Sequence, residues 1–252
     1  MGFTNKNLSA KDRIVLALDT DSLEDVERLV TLLKDYVGYF KVGPQLFTSC
    51  AYEAMDLIKN LGGKIYFDAK FHDIPSTVAK AASNLIKRDV TTFSAHLAGG
   101  SKMLTTTVKV ARETAKKYEK PIPTILGVTL LSSFGQRTLT EELNVKMNID
   151  EYVAHLTYLA KESKIDGVIA SASEAKKIRK QFSDEFIIMC PAIRPTWSVV
   201  NDQIRVVTPA DAIKSGVDYM VVGRPITSAE DPVAAANLII DEIEQAAKFI
   251  EV

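Results

Sequence analysis

Eight short apolar runs, separated by longer stretches with helical spacing, recur along the 252 residues of this chain, and that alternation constrains its fold more than any other feature. The runs are Ile14 to Leu18, Tyr39 to Val42, Lys64 to Lys70, Thr92 to His96, Thr124 to Val128, Gly167 to Ala170, Phe186 to Cys190 and Tyr219 to Gly223. Between them lie helical patterns such as Leu23 to Lys34 (after a cap at Ser22), Val78 to Lys87, Met103 to Tyr118, Glu151 to Glu162 and Ser173 to Gln181, with a last one from about Pro232. Strands alternating with helices predict a parallel sheet, and near-continuous apolar runs such as IVLAL and YMVVG predict burial on both faces. Eight such units in a chain of this length predict an α/β fold, a (β/α)8 TIM barrel forming a single domain over residues 1–252. An open doubly wound sheet is the rival. It would place a glycine-rich turn after its first strand, where this chain reads LALDTDS.

Composition narrows the partners. A formal net charge of −1 leaves no electrostatic footprint for nucleic acid. No stretch reaches the length of a membrane span, and the opening MGFTNKNLSAKDR lacks the apolar core of a signal peptide, so a cytoplasmic location is expected. Cys50 and Cys190 match no metal or redox spacing and read as buried thiols.

In a barrel of this kind, chemistry belongs at the C-terminal ends of the strands. The first run here ends with Asp19, the second carries Lys41 followed by Gly43 and Pro44, the third carries Asp68, Lys70 and Asp73, and the fourth ends with His96. Strand alternation points Asp68 and Lys70 the same way, with Asp73 following in a loop. Two flanking carboxylates favour the ammonium form of Lys70, which suits a proton donor. Schiff-base chemistry needs the opposite, an apolar or cationic setting that strips the proton from the amine. A magnesium site on Asp68 and Asp73 would have to compete with the ammonium between them. Taken alone, the triplet fits either such a device or a structural ion-pair cluster at a strand end.

The late runs differ in character. Pro191, Ala192, Ile193 and Arg194 follow the seventh, then a polar loop runs through Trp197 and Gln203 to Thr208; Gly223, Arg224 and Pro225 follow the eighth. Loops in these positions often hold a phosphate, with glycine admitting close backbone approach and arginine offering a planar fork. A phosphorylated small molecule is the expected ligand.

With these residues assembled, the chain resembles the orotidine 5'-phosphate decarboxylase family over nearly its whole length. The resemblance is carried by ALD at Ala17 to Asp19, FKVGPQLF at Phe40 to Phe47, FDAKFHDIPSTV at Phe67 to Val78, GVTLLSS at Gly127 to Ser133, PAIRP at Pro191 to Pro195, NDQIRVVTP at Asn201 to Pro209 and VVGRPIT at Val221 to Thr227. It implies a decarboxylase producing uridine 5'-phosphate, with Lys41, Asp68, Lys70 and Asp73 as a charge network around the reacting carbon and Lys70 as proton donor. It also implies a homodimer in which Asp73 and Thr77 reach the partner's site. Asp19 and Lys41 would hold ribose hydroxyls, Ser132 the pyrimidine amide, and Gln203, Gly223 and Arg224 the phosphate, with Arg194 on a closing loop. No cofactor and no metal are implied. Two rivals stay open: a magnesium-dependent sugar-phosphate decarboxylase or synthase of the same superfamily, and a phosphate-ligand-binding barrel without catalysis. His72 reads as packing or a loop hydrogen bond, His155 as a helix residue, and Trp197 as an anchor for the loop after the seventh run.

Overall fold

The computed structural model describes residues 8–182, 186–198 and 207–249. Its strands are β1 (Ile14–Ala17), β2 (Tyr39–Val42), β3 (Ile65–Phe71), β4 (Thr92–His96), β5 (Thr124–Val128), β6 (Gly167–Ile169), β7 (Ile187–Cys190) and β8 (Tyr219–Val222). They form a closed barrel in chain order, so the fold is the expected TIM barrel. Every expected strand is present, with each end within one residue of its predicted position. The helices are α1 (Leu23–Leu33), α2 (Pro44–Asn60), α3 (Pro75–Lys87), α4 (Gly100–Lys117), α5 (Ile149–Glu162), α6 (Ala172–Gln181), α7 (Pro209–Lys214), α8 (Arg224–Thr227) and α9 (Pro232–Lys248). The pattern names no helix between β2 and β3, and α2 explains why: Ala51 has φ 45° inside it, a kink that interrupts the helical period.

The helices start where local chemistry lets them. Ser22 accepts a hydrogen bond from the Asp25 N–H at the head of α1, and Asp231 accepts from the N–H groups of Val233 and Ala234 at the head of α9. Asn148 and Glu151 form a capping box on α5, as do Ser171 and Glu174 on α6. Amphipathic spacing then decides which face is buried: α1 buries Val26, Leu29, Val30 and Leu33.

The chain divides into two compact units, residues 70–188 and the remainder. In the remainder, β1 pairs in parallel with β2 and β8, and β2 with β3. One register row runs Ala17, Lys41, Tyr66, and the next residues along lead into the strand ends that carry charge. Leu16, Phe40 and Val222 are buried in this sheet, each such side chain contributing about 1.5–3 kcal/mol.

In residues 70–188, β4 pairs with β5 and β5 with β6, all parallel, and α3 packs against α4. Thr107 of α4 is fully buried, and its hydroxyl donates to the Met103 carbonyl at 2.8 Å. Gly167 opens β6 where a Cβ would lie 2.2 Å from the Ile187 carbonyl oxygen, so no other residue fits without moving backbone. Beside it, Asp166 accepts from the Ile125 N–H at 2.8 Å and from Arg112 Nη2 at 3.0 Å. Burial raises the Asp166 pKa above its ordinary value, an effect only partly offset by those two donors. Cys190 is buried as expected, whereas Cys50, on α2, is only half-buried, with its Sγ 3.4 Å from the Asp21 carbonyl.

Candidate active site

The unit that contains β1, β2 and most of β3 holds the first group of expected site residues. Lys41 extends from β2 with its side chain 11% exposed, and its Nζ lies 2.8 Å from Asp19 Oδ1, just past the end of β1. Burying an ammonium is costly unless it is paired, and Asp19 supplies the pairing from a more exposed position. Gly43 makes room for it. The backbone there, with φ −99°, suits any residue, but a Cβ would sit 2.9 Å from the Lys41 nitrogen. Sequence reasoning noted Gly43 beside Lys41 without this reason for it.

Asp68 is 7% exposed on β3 and accepts a hydrogen bond from the Tyr66 hydroxyl at 2.9 Å. The two are two residues apart, so strand alternation places them on one face. Tyr66 itself is fully buried, and the sequence motif gave it no role.

Arg194 and Arg224 come together in the same unit. With Trp197, Ser198, Pro225, Ser228 and Ala229 they line a pocket of about 400 Å³. Arg194 is 4% exposed, and its backbone N–H donates to the Val207 carbonyl at 2.9 Å, which ties the segment after β7 to the segment before α7. Gly223 sits between β8 and Arg224. Each guanidinium carries several N–H donors in a fixed fork, a chemistry that suits an anion. Trp197, 44% exposed, is part of that wall. Gln203 lies outside the described residues.

Lys70, Asp73, Thr77 and Ser132 belong to residues 70–188. Lys70 departs from the extended backbone of its strand: its φ is 50°, so simple alternation no longer fixes its direction. A non-glycine residue in this region costs about 1–2 kcal/mol, and such strain gathers at functional positions. The Lys70 N–H is held by the Ser94 hydroxyl at 3.0 Å, and Ser94 is fully buried on β4. Asp73 is exposed, its carboxylate accepting from the N–H of Ile74, and Thr77 is exposed in the first turn of α3. Between them Ile74 leaves 64% of its surface uncovered. Ser132 is exposed in a turn after β5.

His72 is exposed just past β3, its ring centroid 5.3 Å from that of His96 at the end of β4, and a Cβ on Gly99 would come within 3.4 Å of it; His155 is exposed on α5. Among the described residues, no helix is long and apolar enough to cross a membrane, and no three of His, Cys, Asp and Glu gather as they would around a metal ion.

Comparison with known proteins identifies the family. A family model described as the orotidine 5'-phosphate decarboxylase / HUMPS family matches residues 12–239. The orotidine 5'-phosphate decarboxylase of Moorella thermoacetica is 44% identical over 94% of both chains. The enzyme of the same name from Syntrophomonas wolfei is 44% identical over 94% of this chain and all of its own. Among solved structures, orotidine 5'-phosphate decarboxylase from Lactobacillus acidophilus superimposes with a TM-score of 0.78 at 34% identity, covering 91% of this chain and 98% of its own. The chain therefore belongs to the orotidine 5'-phosphate decarboxylase / HUMPS family.

Proposed function

We propose that this protein decarboxylates orotidine 5'-phosphate to uridine 5'-phosphate, the last step in making that nucleotide, with Lys70 as proton donor and no cofactor. The observation that carries the reading is the pair of buried, partnered charges on consecutive strands, Lys41 paired with Asp19 and Asp68 hydrogen-bonded by Tyr66, in a unit that also holds a two-arginine pocket. Such a unit can grip a phosphate and present fixed charge to the rest of the ligand.

In the reaction, the bond from the pyrimidine C6 to its carboxylate breaks, carbon dioxide leaves, and the electron pair stays on C6. The Lys70 ammonium stabilises that charge and then transfers a proton to it; solvent returns a proton to the amine. Asp68 orients Lys70 beside the departing carboxylate. Asp19 and Lys41 hold ribose hydroxyls, Ser132 the pyrimidine amide, and Arg194, Gln203, Gly223 and Arg224 the phosphate. Phosphate binding energy, remote from C6, is then available to assemble the site.

The working form in this reading is a cytoplasmic homodimer, each site completed by Asp73 and Thr77 of the partner subunit. Exposure of both positions in the single chain, with an uncovered isoleucine between them, supports it.

The test follows the ultraviolet absorbance of orotidine 5'-phosphate with the wild-type chain and with Lys70→Ala, alongside binding of uridine 5'-phosphate. Lys70→Ala should lose about 10⁴-fold or more in rate while still binding the product. Unchanged activity in the variant, or no absorbance change with the wild type, overturns the reading. Wild-type activity abolished by EDTA and restored by Mg²⁺ would point instead to the metal-dependent branch of the superfamily.

A further inference from the structure

We infer that Tyr66 is a positioning residue for the reaction: its buried phenol holds one oxygen of the Asp68 carboxylate and thereby sets the plane in which the other is presented. The inference rests on the reading of Asp68 as a group of the reaction site.

Tyr66 is among the largest side chains with no solvent exposure, and it stands on β3 in register with Lys41 on β2. A phenol carries a hydroxyl that is costly to bury without a partner, so a residue placed only to fill this space would more simply be apolar. Here the hydroxyl meets Asp68 Oδ1 at 2.9 Å, and the carboxylate, accepting only when ionised, makes the phenol the donor. A hydrogen bond to a charged acceptor is stronger and more directional than a neutral one. Both side chains rise from one rigid strand two residues apart, so backbone motion does not loosen the bond. Because registered residues of parallel strands present their side chains to one face, Tyr66 also stands beside the root of Lys41. The phenol is therefore fully buried, two residues before Asp68 on β3 and level with Lys41 on β2.

Tyr66→Phe removes one oxygen and keeps the ring. It should lower kcat about ten-fold and leave KM and the affinity for uridine 5'-phosphate within about two-fold, with a melting temperature close to wild type. In an Asp68→Asn background the same change should cost no further activity, since the partner it orients is altered. A purely structural role predicts the reverse, a lower melting temperature with kcat per folded chain unchanged, and that result overturns the inference. If Asp68→Asn costs about 100-fold or more while Tyr66→Phe leaves kcat within about two-fold, the inference fails and the reading of the site survives. If Asp68→Asn itself leaves kcat intact, the reading of the site fails first. A measurement on the wild-type fold is independent of how the Phe variant behaves: the Tyr66 hydroxyl proton should give a slowly exchanging downfield resonance that Asp68→Ala, which leaves no acceptor there, abolishes. Persistence of that resonance unchanged in Asp68→Ala also overturns the inference.

Discussion

Asp68 and Asp73 flank the same lysine in sequence, yet their surroundings are opposite. Asp68 is 7% exposed and held by a buried phenol, whereas Asp73 is exposed and its carboxylate accepts from the next residue's N–H. A spaced motif is therefore not one device. Its first acid is buried inside the chain; its second stands at the surface, with Ile74 and Thr77 beside it.

The sharpest way to break this contrast is to ask whether Asp73 works in its own chain. On the proposed homodimer, Lys70→Ala and Asp73→Asn should each be nearly inactive alone. Mixed and allowed to exchange, they should recover about a quarter of wild-type activity, because half the dimers become mixed and each of those holds one intact site. No recovery after demonstrated subunit exchange would place Asp73 in its own chain's site and remove the contrast.

A smaller effect compares two glycines. Gly43→Ala pushes against the mobile end of Lys41, so it should lower kcat/KM about ten-fold with little change in melting temperature. Gly167→Ala pushes against a carbonyl of the backbone, so it should cost about 1–3 kcal/mol of stability while leaving activity per folded chain intact. Finding the two outcomes exchanged would show that Gly43 is structural and that the Lys41 ammonium can shift freely.

The smallest effect concerns Asp166, a half-buried carboxylate with no place in the proposed chemistry. Its pKa is raised above the ordinary 3.8, chiefly by burial, so the folded chain binds this proton more tightly than the unfolded one. Stability should fall as pH rises from about that ordinary value through the raised one, and Asp166→Asn should flatten the slope of melting temperature against pH in that window. An unchanged slope would assign the pH dependence elsewhere.

Much of the fold was legible in the residues. Strand limits could be read to within one residue because buried parallel strands need continuous apolar runs and the turns between them do not. Ser22 marked the start of α1 because a capping hydroxyl is a local requirement. The kinked α2 was not legible, since a non-helical, positive-φ residue at Ala51 breaks the period on which the reading depends.

At the site the division follows the same physics. Residue types and their order along the chain determined the barrel, the family and the identity of the charges at the strand ends, because period and motif are properties of neighbouring residues. Only the tertiary structure decided that Lys41 is paired with Asp19, that Tyr66 supports Asp68, that Arg194 and Arg224 share one pocket, and that Lys70 leaves the extended backbone. Most of these depend on where groups distant in sequence come to lie. Even the Tyr66 bond, made between residues two apart, acquires its strength from burial, and burial is conferred by the rest of the chain.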